Sequence, residues 1–186
     1  MKILALAASN SSRSINRRLL AHAVEVLRAE VMPDAEVTIL DLHALEMPIY
    51  SADRQREGGV PEPAKRFRAA IGAADALLFA FAEHNGHPSA AYKNLIDWTS
   101  RLRPEDGGAK GVYQGKPMVI IGTSPGAGGA RRALASVKSG APSAGGELRA
   151  DLFFPNFGTE VDAETGRPVS AEMQAALRGA LRTLAG

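Results

Sequence analysis

The sequence predicts an α/β fold, a doubly wound five-stranded parallel sheet with helices on both faces. Two observations carry this. Short apolar runs alternate in order with helical patterns, five times over, and strand–helix alternation of that kind winds into a parallel sheet. Four of the runs, Ile3–Ala7, Val37–Leu40, Ala76–Ala82 and Met118–Gly122, are near-continuous in apolar character. Strands buried on both faces read that way.

The fifth run, Leu148–Phe154, alternates more and suits an edge. Between the strands, Ile15, Leu19, Ala23, Leu27 and Val31 make a stripe at four-residue spacing, widened by Leu20 and Val24. Glu62–Ala73 opens beside Pro61 and Pro63, where proline favours a helix start. Ser89–Ser100 and Gly128–Ser139 supply two more helices. Ala171–Leu184 follows Ser170, a good N-cap, with Glu172 in the first turn. Residues 42–60 and 155–169 read as surface loops. The expectation is one domain spanning 1–186.

Composition narrows the chemistry. The 186 residues include no cysteine, which excludes disulfides, thiolate metal sites and cysteine nucleophiles. Lys and Arg number 22 against 20 Asp and Glu, and aromatics are only 5%, so no nucleic-acid footprint is expected. The first apolar stretch is short for a signal peptide. No segment approaches the ~20 apolar residues of a membrane span. A cytoplasmic protein that binds neither membrane nor nucleic acid is expected.

In open α/β sheets ligands bind outside the carboxyl ends of the strands. Three loops therefore carry the functional reading. The first, Ser9-Asn10-Ser11-Ser12-Arg13-Ser14-Ile15-Asn16, joins a strand to a helix N-terminus, which attracts phosphate. It offers hydroxyls and an amide but no glycine, so it is neither GxGxxG nor GxxxxGK[ST]. A hydroxyl-rich cradle suits a terminal monophosphate, as on FMN. A serine-rich N-cap without a ligand is the plainer alternative. The second loop is Ala82-Glu83-His84-Asn85-Gly86-His87-Pro88, and the third is Gly122-Thr123-Ser124-Pro125-Gly126-Ala127-Gly128-Gly129. Glycine and proline turns let backbone approach a flat ring closely.

These loops resemble the NADPH-dependent FMN reductase family, flavodoxin-like enzymes that include quinone, azo-dye and chromate reductases. The family's G-S-x-R-x-x-S-x-N aligns with Ala8 to Asn16. Its P-E-Y-N-x(7)-K-N-x-x-D-W aligns with Ala82-Glu83-His84-Asn85 and then Lys93-Asn94-Leu95-Ile96-Asp97-Trp98, at the same spacing. Its G-K-P appears as Gly115-Lys116-Pro117, and its S-P-G-x-x-G-G is resembled, one residue shorter, by Ser124-Pro125-Gly126-Ala127-Gly128-Gly129. Departures are Ala8 for glycine, Ser11 for arginine with Arg13 two residues on, Ala82 for proline and His84 for tyrosine.

The resemblance implies a flavodoxin-like fold and an FMN-dependent NAD(P)H oxidoreductase. Electrons would pass from NADPH to flavin and then to a quinone, free flavin or similar small acceptor. It implies phosphate contacts from Ser9, Ser11, Ser14, Ile15 and Asn16. Ring contacts would come from Glu83, His84, Asn85 and Gly86, with Ser124, Pro125 and Gly126 closing the other side. Lys93–Trp98 would lie at a subunit contact of a homodimer or homotetramer. Arg13, Arg17, Arg131 and Arg132 are candidates for the NADPH phosphate, and no side chain is required as acid, base or nucleophile.

Rivals fare worse. Gly122-Thr123-Ser124-Pro125-Gly126 matches the nucleophile elbow G-x-S-x-G, but Pro125 lacks the N–H an oxyanion hole needs, and all four histidines precede Ser124. Glu83, His84 and His87 make only a weak metal motif. The non-enzyme alternative is a flavodoxin-type electron carrier, which would dock through a strongly charged surface. A net charge of +2 supplies no such field.

Overall fold

The computed structural model describes residues 1–102 and 111–185. One five-stranded sheet is built from β1 (Lys2–Ala8), β2 (Glu36–Asp41), β3 (Ala76–Phe81), β6 (Pro117–Thr123) and β7 (Glu147–Phe154). Their order across the sheet is β2-β1-β3-β6-β7, and every pairing is parallel. A two-stranded hairpin, β4 (Glu83–His84) and β5 (His87–Pro88), projects beyond β3.

Side chains alternate across a strand, so each central strand feeds two cores. Ile3, Ala5, Ala7, Leu78, Ala80, Val119 and Ile121 face α1 (Ile15–Val26) and α6 (Ala171–Arg182). Leu4, Leu6, Leu77, Phe79, Phe81, Met118 and Ile120 face α3 (Glu62–Ala73), α4 (Ala90–Thr99) and α5 (Arg131–Gly140). Helices on both faces explain the unbroken apolar runs.

The edges differ. β7 alternates between half-buried and exposed positions, as its sequence suggests. β2 lies at the opposite edge although it reads as apolar as the centre, and its Ile39 is 55% exposed.

The fold departs from the sequence expectation at four places. The first helical stripe does run to Val31, but α1 ends at Val26 and its last residues form a wider turn closed by Met32 N–H on the Leu27 carbonyl. The region 42–60 holds a short 3₁₀ turn, Leu42–Leu45, and α2 (Ala52–Gly58). α2 has no buried residue, so it carries no apolar stripe to betray it. The fourth predicted helix begins at Arg131 rather than Gly128, because Gly129 and Ala130 take φ of 55° and 68°, outside the helical region. The loop after β3 is a hairpin rather than a plain turn. Asn85 and Gly86 sit at φ 53° and 85°, which a two-residue hairpin of this twist requires at both central positions.

Candidate functional site

From β1 the chain steps outward to β2, then returns across β1 to β3. The crevice at the carboxyl ends of β1 and β3 is therefore the topological switch point. Register sets its walls level: Ala8 pairs with Phe81, Phe81 with Gly122, and Thr123 with Phe154. The loops leaving β1, β3 and β6 all open onto this one edge.

The loop after β1 is a chain of serine turns. Ser9 Oγ accepts from Ser11 N–H at 3.3 Å, and Ser11 Oγ accepts from Arg13 N–H at 3.3 Å. Ser14 is the N-cap of α1 and accepts from Arg17 N–H at 3.4 Å. A hydroxyl that accepts a backbone bond keeps its O–H proton to donate. The loop thus presents three donors around the start of a 12-residue helix. Ile15 and Asn16 lie in the first turn, whose N–H groups have no partner within an α-helix. This donor set fits a phosphate dianion.

Asn16 is placed differently from its sequence reading. It is buried, and its side-chain amide pairs twice with Thr123, donating to the carbonyl at 3.0 Å and accepting the N–H at 2.9 Å. Its amide bolts the first loop to the end of β6. Thr123 in turn donates its hydroxyl to the Phe154 carbonyl at 2.7 Å. Ser89, buried at the N-cap of α4, donates to the Ala8 carbonyl at 2.9 Å. Sequence reading missed Thr123 and Ser89 as fixings, because each binds backbone far along the chain.

The hairpin makes the second wall. His84 and Asn85 are exposed at its tip, and His84 pairs across with His87. Glu83 turns its carboxylate toward α5. Oε2 accepts from Arg132 N–H at 3.0 Å and Ala133 N–H at 3.2 Å, and Oε1 accepts from Arg132 Nε and Nη2 at 3.1 and 3.0 Å. Burial pushes this carboxyl up, but the two backbone donors and the guanidinium outweigh it and hold it below its ordinary value. The third wall, Ser124–Gly126, is exposed at Pro125 and Gly126. It is pinned from below, since the Ser124 and Gly126 carbonyls accept from Phe157 and Asn156 N–H.

The candidate arginines separate. Arg17 pairs with Asp41 at 2.7 Å, Arg131 lies over the Phe153 ring, and Arg132 is held by Glu83. Arg13 is exposed in the first loop.

The Lys93–Trp98 motif holds a neighbouring segment. Asn94 donates to the Met47 and Pro48 carbonyls and accepts from Tyr50 N–H. Trp98 Nε1 donates to the Pro48 carbonyl at 2.7 Å, and Tyr50 meets the indole edge-on. Lys93 and Asp97 form a pair on the helix surface. Among the described residues, no three His, Asp or Glu side chains converge as metal ligands, and no helix is long and apolar enough to cross a membrane.

A family model described as NADPH-dependent FMN reductase matches residues 1–146, which contain all three loops. An NAD(P)H-dependent FMN reductase of Pseudomonas aeruginosa is 37% identical over 133 residues, 72% of this chain and 65% of that protein. An NADPH:quinone oxidoreductase of Arabidopsis thaliana is 33% identical over 131 residues, 70% of this chain and 62% of that one. The chain thus matches just under two thirds of the length of these curated relatives. Among solved structures, FerB, a flavoenzyme NAD(P)H:(acceptor) oxidoreductase from Paracoccus denitrificans, aligns with a TM-score of 0.78 at 24% identity, covering 98% of this chain and 94% of that one. An FMN-dependent NADH-azoreductase from Bacillus anthracis in complex with FMN aligns at 0.70 and 14% identity over 100% of both chains. These structural likenesses establish the flavodoxin-like fold. With the family match covering most of its length, the chain belongs to the NADPH-dependent FMN reductase family.

Proposed function

We propose that the protein is an FMN-dependent NAD(P)H oxidoreductase that reduces a quinone, free flavin or similar small acceptor. The observation that carries this is the donor array of Ser9, Ser11 and Ser14 around the α1 N-terminus, set at the switch point of the sheet. When bound, FMN supplies the two-electron chemistry, taking a hydride equivalent from the nicotinamide and passing it on to the acceptor. The chain's own residues bind and orient. Ser9, Ser11 and Ser14, with the backbone of Ile15 and Asn16, hold the phosphate. The backbone of Glu83, His84, Asn85 and Gly86 flanks the ring, and Ser124, Pro125 and Gly126 close the far side. Arg13, exposed within the phosphate loop itself, is the arginine proposed for NADPH.

The same reading takes 1–186 as one domain of a cytoplasmic homodimer or homotetramer, with the α4 motif at the subunit contact. Relatives named as quinone reductases support the choice of acceptor. The test is a spectrum. Protein mixed with FMN and desalted should retain flavin absorbance, and NADPH alone should bleach it within seconds. Retention without bleaching identifies an electron carrier instead, and no retention removes the flavin reading.

A further inference from the structure

We propose that Glu83 is a positioning residue for the flavin reaction: its carboxylate clamps the hairpin bearing His84, Asn85 and Gly86 to the N-terminus of α5 and to Arg132. The proposal rests on the flavin reading of the site. Neither part is secure alone. The hairpin has two residues in each strand, and an isolated hairpin so short has no stability of its own. The start of α5 has no side-chain cap, because its N-cap position is Ala130 in the left-handed region. First-turn N–H groups need an acceptor from elsewhere.

Glu83 meets both needs. One oxygen takes the N–H groups of Arg132 and Ala133, the other grips the guanidinium with two bonds, and its side chain is only 13% exposed. The grip reaches the hairpin tip as well. Arg132 lies beside Gly86, where an added Cβ would be 3.4 Å from Nε and 3.5 Å from Cζ. One ion pair therefore fixes the hairpin at its base through Glu83 and lays the Arg132 guanidinium beside its tip. Two guanidinium N–H groups converging on one carboxylate oxygen add directional restraint to charge attraction. The backbone offered to a ring is held in place before any ligand arrives, which lowers the ordering cost of binding.

A clamp on the ring wall makes a demand that a plain helix cap does not. Loosening it should weaken every flavin equally, with or without a phosphate. Binding of FMN and of riboflavin to Glu83→Gln, followed by fluorescence quenching, should each weaken by about tenfold, leaving their ratio as in the wild type. The midpoint potential of bound FMN should shift as well. Arg132→Ala keeps both backbone bonds to Glu83 and guards against a folding defect, and it should weaken both flavins by about threefold. Wild-type affinities and potential in Glu83→Gln overturn the clamp while leaving the flavin site standing. Loss confined to FMN also overturns it, since that places the effect at the phosphate. A wild type that holds neither flavin overturns the underlying reading and the clamp together.

Discussion

In the turn after β1 the hydroxyls of Ser9, Ser11 and Ser14 are anchored two or three residues away, whereas the hairpin after β3 is anchored 49 residues away by Glu83 and Arg132. Both line the same sheet edge. The first draws its turns from its own serines, is tied at its far end to Thr123 by Asn16, and keeps hydroxyl donors free for a ligand. The second has too few internal contacts to hold its shape and borrows a helix end. Local construction suits a site for a compact charged group, and long-range construction suits a wall that must sit at a set distance from another element.

The contrast can be tested by breaking each side. Removing the three hydroxyls together (Ser9→Ala, Ser11→Ala, Ser14→Ala) deletes hydrogen bonds worth about 1.5–3 kcal/mol each to a charged group, so FMN affinity should fall by about 1,000-fold or more. Riboflavin affinity should hardly change, and titrating both ligands reads the difference directly. Asn16→Ala removes both hydrogen bonds that its amide makes with the buried backbone of Thr123. Urea unfolding should register a loss of about 2–3 kcal/mol, and intact stability would mean that the bolt between the two loops is unimportant.

Glu83 gives a pH signature. Its folded pKa lies below the ordinary value of 4.5, so its stabilising effect is complete above that pH and disappears as pH falls through the lower folded value. Thermal unfolding of Glu83→Gln should therefore show a deficit of roughly 1–2 kcal/mol at neutral pH. The two melting temperatures should converge in acid, and parallel curves down to the acid limit would contradict the assignment. The smallest effect belongs to Lys93→Ala. Its pair with Asp97 is exposed, so monomer stability should move by less than about 0.5 kcal/mol in the same assay.

What could be read from the sequence follows the same division. The central strands, the cap at Ser170 and the serine loop are legible because their signals are local in the chain. The edge position of β2 is hidden, since Val37, Thr38, Ile39 and Leu40 look as apolar as a central strand. α2 escapes notice because its residues are polar throughout, although Ser51 caps it and Gly59 ends it in the ordinary way. The hairpin had a readable signal in Asn85-Gly86. Its fixing did not, because nothing near Glu83 in sequence announces a partner at Arg132. Asn16 carried a motif position whose chemistry suggested a ligand, while the fold uses its amide to join two loops.

The link from Trp98 to Pro48 has a practical consequence. The chain contains a single tryptophan, and its indole is buried, bonded through Nε1 and flanked by Tyr50. Intrinsic fluorescence is then an optical gauge of one place, the junction of α4 with residues 47–50. Wavelength and intensity there register whether that junction is dry and closed or wet and open, with no label attached.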